Sequence, residues 1–284
     1  MDKENNLEKN IPRHWSALSY AGEIRVPAST ASRAGSWPLY FLKRNRNGEF
    51  ADSKGDLISF EILQPDTFNF NAQLSVVKEV LNNITADQIA IAEYWGDGPA
   101  AKQWMPIVDI LIDTYGIGSP MAERIWAAVQ AGVNDALLVN WHFKYLWDIA
   151  RPNQLDQTLA TILCTPKHPT YPAGHATVAG CNQMILNYFF PPEAVRLQQL
   201  AEECALSRLY AGVHFPADLE QGLRLGRQIG NIVVADLMEQ HDRDFTKIDM
   251  PITVNLQAKL PPPPYKQVIP FPRKQSCDSL LISK

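Results

Sequence analysis

Five side chains able to bind or attack an oxyanion fall within one stretch of this sequence, residues 141–218. They are Lys144, Arg151, His175, Arg208 and His214. Burying several cationic groups together is unfavourable unless an opposite charge compensates them. We therefore expect this stretch to surround a bound oxyanion of tetrahedral or trigonal-bipyramidal shape.

Lys144 and Arg151 are seven residues apart, which places both on nearly the same face of a helix. Trp141 lies one turn before Lys144 on that face. Such a pair taken alone is usually an exposed basic stripe. Here the segment is also rich in apolar residues, namely Leu137, Leu138, Phe143, Leu146 and Trp147. The sequence therefore predicts a buried lysine and arginine that need an anionic acceptor.

The second group, Pro172-Ala173-Gly174-His175, leaves a proline-rich loop and enters a predicted helix. The first turn of a helix offers free backbone N–H groups and a favourable dipole to an anion. Gly174 permits close approach of the backbone, and His175 is placed to act as a general acid. Taken alone, this pattern is weak evidence for a site.

The third group begins with Ser207-Arg208 near the end of a predicted helix and continues with His214 in a turn. Asp218 follows four residues later, in the first turn of the next helix. A carboxylate there can hold one ring nitrogen of His214 and raise the basicity of the other. That arrangement suits a nucleophilic or metal-ligating histidine, and the alternative is a surface aspartate that caps the helix.

In this order, the patterns K-x6-R-P, P-x-G-H and S-R-x5-H-x3-D resemble the signature of the type 2 phosphatidic acid phosphatase superfamily, which includes the vanadium-dependent haloperoxidases. The resemblance covers residues 144–218. It implies that phosphate or vanadate is bound through Lys144, Arg151, Arg208 and the Gly174 amide.

For a haloperoxidase, the resemblance implies that His214 is the axial ligand of vanadate, while His175 and Lys144 assist the bound peroxide that oxidises halide. For a phosphatase, it implies that His214 attacks phosphorus and His175 protonates the leaving group. The substrates are accordingly peroxide and halide, or a phosphate ester.

Ala173 departs from the family pattern, which usually has serine at this position. The missing hydroxyl removes one hydrogen bond to the oxyanion, worth about 1 kcal/mol and up to about 3 kcal/mol with a charged partner. We therefore expect anion binding to be weaker by about one to two decades but not abolished.

Three features favour a haloperoxidase over a phosphatase. Trp141 resembles a tryptophan of many haloperoxidases, and His168 is similar to an extra histidine of bromoperoxidases, although a loop histidine is as often structural. The segment 92–98 resembles soluble bacterial haloperoxidase-like proteins. Within that segment, Asp97 is expected either to pair with Arg151 or Arg208 or to lie in solvent.

Two other functions stay open. The second choice is a soluble acid phosphatase that works through a phosphohistidine. The third is an oxyanion-binding protein without turnover, which the presence of both histidines and Asp218 disfavours because binding alone needs no nucleophile.

Helical periodicity begins near residue 70 and predicts an all-α bundle of about seven helices. The expected helices cover 71–83, 85–95, 101–115, 119–149, 174–189, 192–210 and 216–242. They form a catalytic domain of residues 66–260, between an irregular N-terminal arm (1–65) and a proline-rich tail (261–284). Gly222, Gly226 and Gly230 recur at every fourth position, which predicts close approach of the last helix to a neighbour.

Composition limits the partners. A net charge of -4 argues against nucleic acid or an anionic membrane surface, and no apolar run approaches the roughly 20 residues of a membrane-spanning helix. Residues 1–6 lack the apolar segment of a signal peptide. The four cysteines show no CxxC pair, so we expect reduced thiols and a soluble, cytoplasmic protein. The oligomeric state stays open, with a homo-oligomer allowed.

Overall fold

The computed structural model describes residues 13–271 and 276–282 of the chain. The expectation about the first six residues therefore concerns a segment outside the described part. The described residues form eight α-helices: α1 (Phe70–Asn82), α2 (Ala86–Gly96), α3 (Met105–Thr114), α4 (Ser119–Trp147), α5 (Pro152–Leu155), α6 (Gly174–Phe189), α7 (Ala194–Tyr210) and α8 (Pro216–Met238). The predicted all-α class is confirmed, and the helix beyond the expected seven is the single turn α5.

Local sequence signals explain several helix ends. Thr85 Oγ1 accepts a hydrogen bond from the Gln88 backbone at 3.3 Å, and Gln88 Oε1 accepts one from the Thr85 backbone at 2.9 Å. This reciprocal pair caps α2. At the C-terminal end of α4, Asp148 adopts a left-handed conformation with φ of 50°. Helix α4 therefore ends two residues earlier than predicted.

Helices α4, α6 and α8 pack together, and α7 lies against α2 and α6. The contact between α6 and α8 is unusually close. A Cβ atom at Gly222 would lie 2.7 Å from the carbonyl oxygen of Ala173, and one at Gly226 would overlap the carbonyl of Thr177. The prediction that these glycines permit close helix packing is confirmed.

The N-terminal arm is irregular, apart from an antiparallel pair of two-residue strands, β1 (Lys43–Arg44) and β2 (Phe50–Ala51). It is attached to α4 by Asp135, which is fully buried. The Asp135 carboxylate accepts backbone hydrogen bonds from Tyr40, Phe41 and Leu42 at 2.8, 2.8 and 3.0 Å. One carboxylate therefore satisfies three successive N–H groups of the arm.

The prediction of four reduced cysteines is wrong. Cys164 and Cys277 form a disulfide with a Cα–Cα distance of 5.9 Å, whereas Cys181 and Cys204 are free and buried. The two bonded residues are 113 positions apart, so no local pattern could reveal them. Disulfides persist mainly in oxidising compartments, and the cytoplasmic location stays a prediction that this bond does not favour.

Backbone hydrogen bonds also hold the C-terminal segment against the body, near the disulfide in sequence. The Leu280 N–H donates to the Ala21 carbonyl at 2.8 Å, and the Thr161 N–H donates to the Leu280 carbonyl at 3.0 Å. Across the part of the chain that the structure describes, no helix combines the length and the apolar character needed to cross a bilayer.

Candidate active site

A cavity of about 260 Å³ opens between α2, α4, α6 and α7. Six of the predicted site residues line it: Trp141, His168, Gly174, His175, Arg208 and His214. Its other walls are apolar or small residues from the loops after α2 and α5, together with Leu137 of α4. Three separate sequence groups therefore meet at one concave surface.

Lys144 is fully buried on α4, as its apolar neighbours predicted. The prediction that Arg151 shares its helix face is wrong, because α4 ends at Trp147, before Arg151. Its Nζ donates hydrogen bonds to the carbonyl oxygens of Pro169 and Thr170 at 2.8 and 2.6 Å. Burial lowers the pKa of Lys144 well below its usual value, and the charge of Arg151 adds to this effect. No carboxylate forms an ion pair with Lys144 among the described residues, although the charge of Asp218 opposes the lowering of its pKa.

Arg151 immediately precedes α5 and is also fully buried. Its Nε donates to the His168 carbonyl at 2.9 Å, and its Nη2 lies 3.0 Å from His168 Nδ1. Its Nη1 donates to the Val213 carbonyl at 2.7 Å and lies 3.3 Å from His214 Nε2. Arg151 thus connects the loop before α6 to the turn before α8. Its burial lowers its pKa.

His214 and Asp218 form the predicted pair. His214 Nδ1 lies 2.9 Å from Asp218 Oδ2, and the same oxygen accepts hydrogen bonds from the Phe215 backbone at 2.9 Å and from the Thr170 hydroxyl. Both side chains are buried, so the alternative of a surface capping aspartate is excluded. Burial raises the pKa of Asp218 to about 6 and lowers that of His214 well below its usual value.

Arg208 supplies the clearest sign of a missing partner. It is 2% exposed, yet its Nε and Nη1 have no hydrogen-bond partner. Burial and the charge of Arg151 lower its pKa to about 10. A Cβ atom at Gly96 would lie 2.7 Å from Arg208 Nη1, so glycine at the end of α2 leaves room for the guanidinium. A buried cation with two free donors fits an oxyanion ligand.

His175 lies in the first turn of α6, beside the Gly174 backbone. Its Nε2 is buried without a partner. Its pKa is well below the usual value, first because of burial and then because of the charges of Arg208, Lys144 and Arg151, although a hydrogen bond to the Trp95 backbone opposes the shift. The α6 N-terminus therefore directs a positive dipole end and a neutral imidazole at the cavity.

Trp141 and His168 lie against each other in the cavity wall, with ring centroids 4.6 Å apart. Trp141 Nε1 is buried without a partner. Burial and the charge of Arg151 lower the pKa of His168 well below its usual value. His168 is therefore part of the cavity, and its contact with Arg151 gives it a structural role as well.

Three other predicted residues stand apart from the cavity surface. Ala173 is fully buried at the start of α6, where its N–H donates to the Asp218 carbonyl at 2.9 Å. The Ser207 hydroxyl donates to the Cys204 carbonyl at 2.7 Å, within its own helix, so the structure does not bring it to the site. Burial raises the pKa of Asp97, and the charges of Lys102 and Arg208 partly offset this. Of the two arginines proposed as partners of Asp97, only Arg208 lies close enough for its charge to lower the pKa of Asp97.

Sequence reasoning missed two residues that support the site. The Thr170 hydroxyl contacts both His214 and Asp218. Asn140 Nδ2 donates to the Pro172 carbonyl at 3.1 Å and to Thr177 Oγ1 at 2.9 Å, which fixes the entry into α6. Neither residue type is distinctive in a sequence. A possible signal was their position, since Asn140 immediately precedes Trp141 and Thr170 lies in the histidine-proline loop.

Comparison with known proteins identifies related sequences. Residues 191–243 match the family model described as the VCPO second helical-bundle domain. A decaprenylphosphoryl-5-phosphoribose phosphatase of Mycobacterium tuberculosis is 30% identical over 119 residues, which are 41% of this chain and 64% of that protein.

Two solved structures share the fold. A bacterial vanadium-dependent iodoperoxidase superposes with a TM-score of 0.62 at 22% identity, covering 76% of this chain and 60% of that one. A bacterial vanadium-dependent chloroperoxidase gives a TM-score of 0.56 at 18% identity, with coverages of 76% and 58%. The chain thus spans less than two thirds of the length of each of these relatives.

Proposed function

We propose that this chain, a member of the superfamily that contains the vanadium haloperoxidases and the type 2 phosphatidic acid phosphatases, is a haloperoxidase-like enzyme that binds vanadate. The observation that carries the proposal is the pair of unpartnered donors on buried Arg208, beside His175 and His214 in one cavity. Phosphate fits the same donors, because both oxyanions present similar oxygens.

Binding of the anion is assigned to the cationic groups and to the α6 N-terminus. Arg208 Nε and Nη1 donate to the oxyanion, and the Gly174 amide adds a backbone donor. Lys144 and Arg151 contribute positive potential from behind the cavity wall. The site therefore favours an anion, because Asp218 and Asp97 are the two carboxylates of the described residues that act on these three buried basic groups.

His214 is assigned as the residue that would hold vanadate through its Nε2 atom. Its Nδ1 faces the Asp218 carboxylate, so the proton belongs on Nδ1 and the lone pair on Nε2. Bound vanadate would supply a metal centre that activates hydrogen peroxide toward halide without a change in its oxidation state. Burial and the neighbouring cations lower the pKa of His175, and an arriving anion would oppose this shift and favour the protonated form, which can donate to the anion.

A phosphatase is the second candidate, and the curated relative favours it. In that reaction Nε2 of His214 attacks phosphorus, the bond to the leaving oxygen breaks, and His175 gives its proton to that oxygen. Water then hydrolyses the phosphohistidine. Ala173 also weighs toward this candidate, because the absent serine hydroxyl is expected to weaken vanadate binding.

The deciding experiment compares three assays on one preparation: bromination of phenol red by hydrogen peroxide with orthovanadate, the same assay without vanadate, and hydrolysis of p-nitrophenyl phosphate. Bromination that depends on vanadate supports the haloperoxidase. Hydrolysis that vanadate inhibits, without bromination, replaces it with the phosphatase. Inactivity in all assays contradicts both and leaves an oxyanion-binding protein.

A further inference from the structure

We propose that Thr170 is a positioning residue that holds the His214 imidazole in one tautomer and one orientation. The proposal rests on the role assigned above to His214, whose Nε2 has to face the oxyanion. It adds to the site a residue that lies behind the cavity wall and cannot touch the substrate.

Thr170, His214 and Asp218 each contact the other two, so their contacts form a triangle. Thr170 Oγ1 lies 3.0 Å from His214 Nδ1 and donates its proton to Asp218 Oδ2. Asp218 Oδ2 lies 2.9 Å from the same His214 Nδ1. All three residues are buried, so water does not compete for these bonds.

The position of the proton on the His214 ring follows from this triangle. A threonine hydroxyl has one proton, and here Asp218 receives it. The lone pairs of Thr170 Oγ1 and of Asp218 Oδ2 are then the two groups that His214 Nδ1 meets. Two acceptors on one ring nitrogen require that nitrogen to carry the proton. His214 Nε2 is therefore left unprotonated, as both an axial ligand and a nucleophile require.

The backbone of Thr170 connects this triangle to the rest of the site. Its carbonyl oxygen accepts from Lys144 Nζ at 2.6 Å, and its N–H donates to the Ile149 carbonyl at 3.0 Å. The main chain is thus fixed on both sides, which gives the hydroxyl a defined direction. One residue therefore sets the relative placement of Lys144, which lies on α4, and His214, which lies in the turn before α8.

The charged and titratable groups around Asp218 define what the hydroxyl changes. Lys144 of α4, Arg151, His214 and Tyr171 all act on this carboxyl or are influenced by it. Burial raises the pKa of Asp218, whereas the hydrogen bonds from Thr170 and from the Phe215 backbone lower it. Loss of the Thr170 hydroxyl therefore removes one of the hydrogen bonds that hold the Asp218 carboxylate and the His214 ring in place.

The test compares Thr170→Val, which keeps the shape of the side chain, with Thr170→Ser, which keeps the hydroxyl. Thr161→Val is the matched control, because it removes another fully buried threonine hydroxyl, one that donates to the Leu163 carbonyl at 2.7 Å. The first readout is the ¹⁵N NMR spectrum of the His214 ring in the protein without added anion. The second is the affinity for orthovanadate at one fixed pH, measured by isothermal titration calorimetry.

We expect the wild type, Thr170→Ser and Thr161→Val to show a single His214 tautomer protonated on Nδ1. Thr170→Val is expected to show exchange with the Nε2 tautomer and to bind orthovanadate about tenfold more weakly than the wild type. A folded Thr170→Val protein with the wild-type spectrum and the wild-type affinity for orthovanadate would overturn the proposal. So would failure of Thr170→Ser to restore either readout.

The NMR readout separates this proposal from the proposed function. If the wild type binds neither vanadate nor phosphate, the proposed function fails, while the tautomer measurement still tests Thr170. If the wild type binds vanadate and the Thr170→Val spectrum is unchanged, the function stands and the positioning role is rejected.

Discussion

Nη1 of Arg151 lies 3.3 Å from Nε2 of His214, the nitrogen that we assign to the oxyanion. A guanidinium can only donate, so this contact requires a lone pair on Nε2. It agrees with the proton on Nδ1 that Asp218 and Thr170 require. Two independent contacts thus give His214 the same tautomer.

His214→Ala is expected to reduce turnover to background, in either the haloperoxidase or the phosphatase assay, because it removes the ligand or nucleophile. Orthovanadate binding, measured by isothermal titration calorimetry, is expected to weaken in parallel. His241→Ala is the control, since His241 is exposed. Wild-type vanadate affinity in His214→Ala would contradict the site assignment.

Arg208→Ala is expected to weaken vanadate and phosphate binding by about two decades, because two charge-assisted hydrogen bonds worth about 1.5 kcal/mol or more each are lost. Calorimetric titration of each anion measures the change. Arg227→Ala, which removes an arginine paired with Glu202 on the α7–α8 surface, is expected to leave binding unchanged. Equal affinities in Arg208→Ala and wild type would mean that the free donors of Arg208 do not face the ligand.

Ala173→Ser restores the hydroxyl that the family usually carries at this position. We expect vanadate to bind about one to two decades more tightly, because the hydroxyl adds a hydrogen bond to a charged oxygen. Ala194→Ser places the same change at the first residue of α7 and is expected to have no effect on binding. Unchanged affinity in Ala173→Ser would show that this position does not reach the anion.

Asp218→Asn is expected to change how stability depends on pH. Folding raises the pKa of Asp218 from 3.8 to about 6, so the native state binds this proton more tightly than the unfolded chain. The resulting stability is complete below about pH 4 and is lost as pH rises through about 6. We therefore compare the free energy of unfolding in urea of the variant and the wild type at pH 4 and pH 7. The difference, variant minus wild type, is expected to be higher at pH 7 than at pH 4 by up to about 3 kcal/mol. A difference that does not vary with pH would contradict the raised pKa.

Asp135→Ala is expected to destabilise the protein by about 3 kcal/mol or more, because three backbone N–H groups of the arm lose their acceptor. The free energy of unfolding in urea measures this loss. Asp109→Ala serves as the control, since Asp109 is an exposed aspartate on α3. A loss no larger than in the control would indicate that the arm is held by other contacts.

Much of the fold was predictable because its signals are local. The pairing of Thr85 with Gln88 and the apolar spacing along α4 depend on residues within one or two helical turns. The site was predictable to the extent that residue types reveal chemistry, as with Arg208 and His214. The disulfide was not, since its cysteines meet only after the C-terminal segment has returned to the body.

The same limit explains the residues that sequence reasoning misplaced or missed. Ser207 belongs to the recognised pattern, yet a hydroxyl in a helix can bond to its own backbone, and only the structure shows that it does. Thr170 gains its role from the meeting of α4, α8 and the loop before α6. Its contacts with His214 and Asp218 cross more than forty residues of sequence.

The absent side chains of Gly222 and Gly226 have a consequence for the chemistry. Helix α6 carries His175, and α8 carries Asp218, which contacts His214. At Gly222 and Gly226 the α8 main chain lies against the carbonyl groups of Ala173 and Thr177, with no α8 side chain between them. A methyl group on either glycine would therefore push α8 away from α6 and shift Asp218 relative to His175.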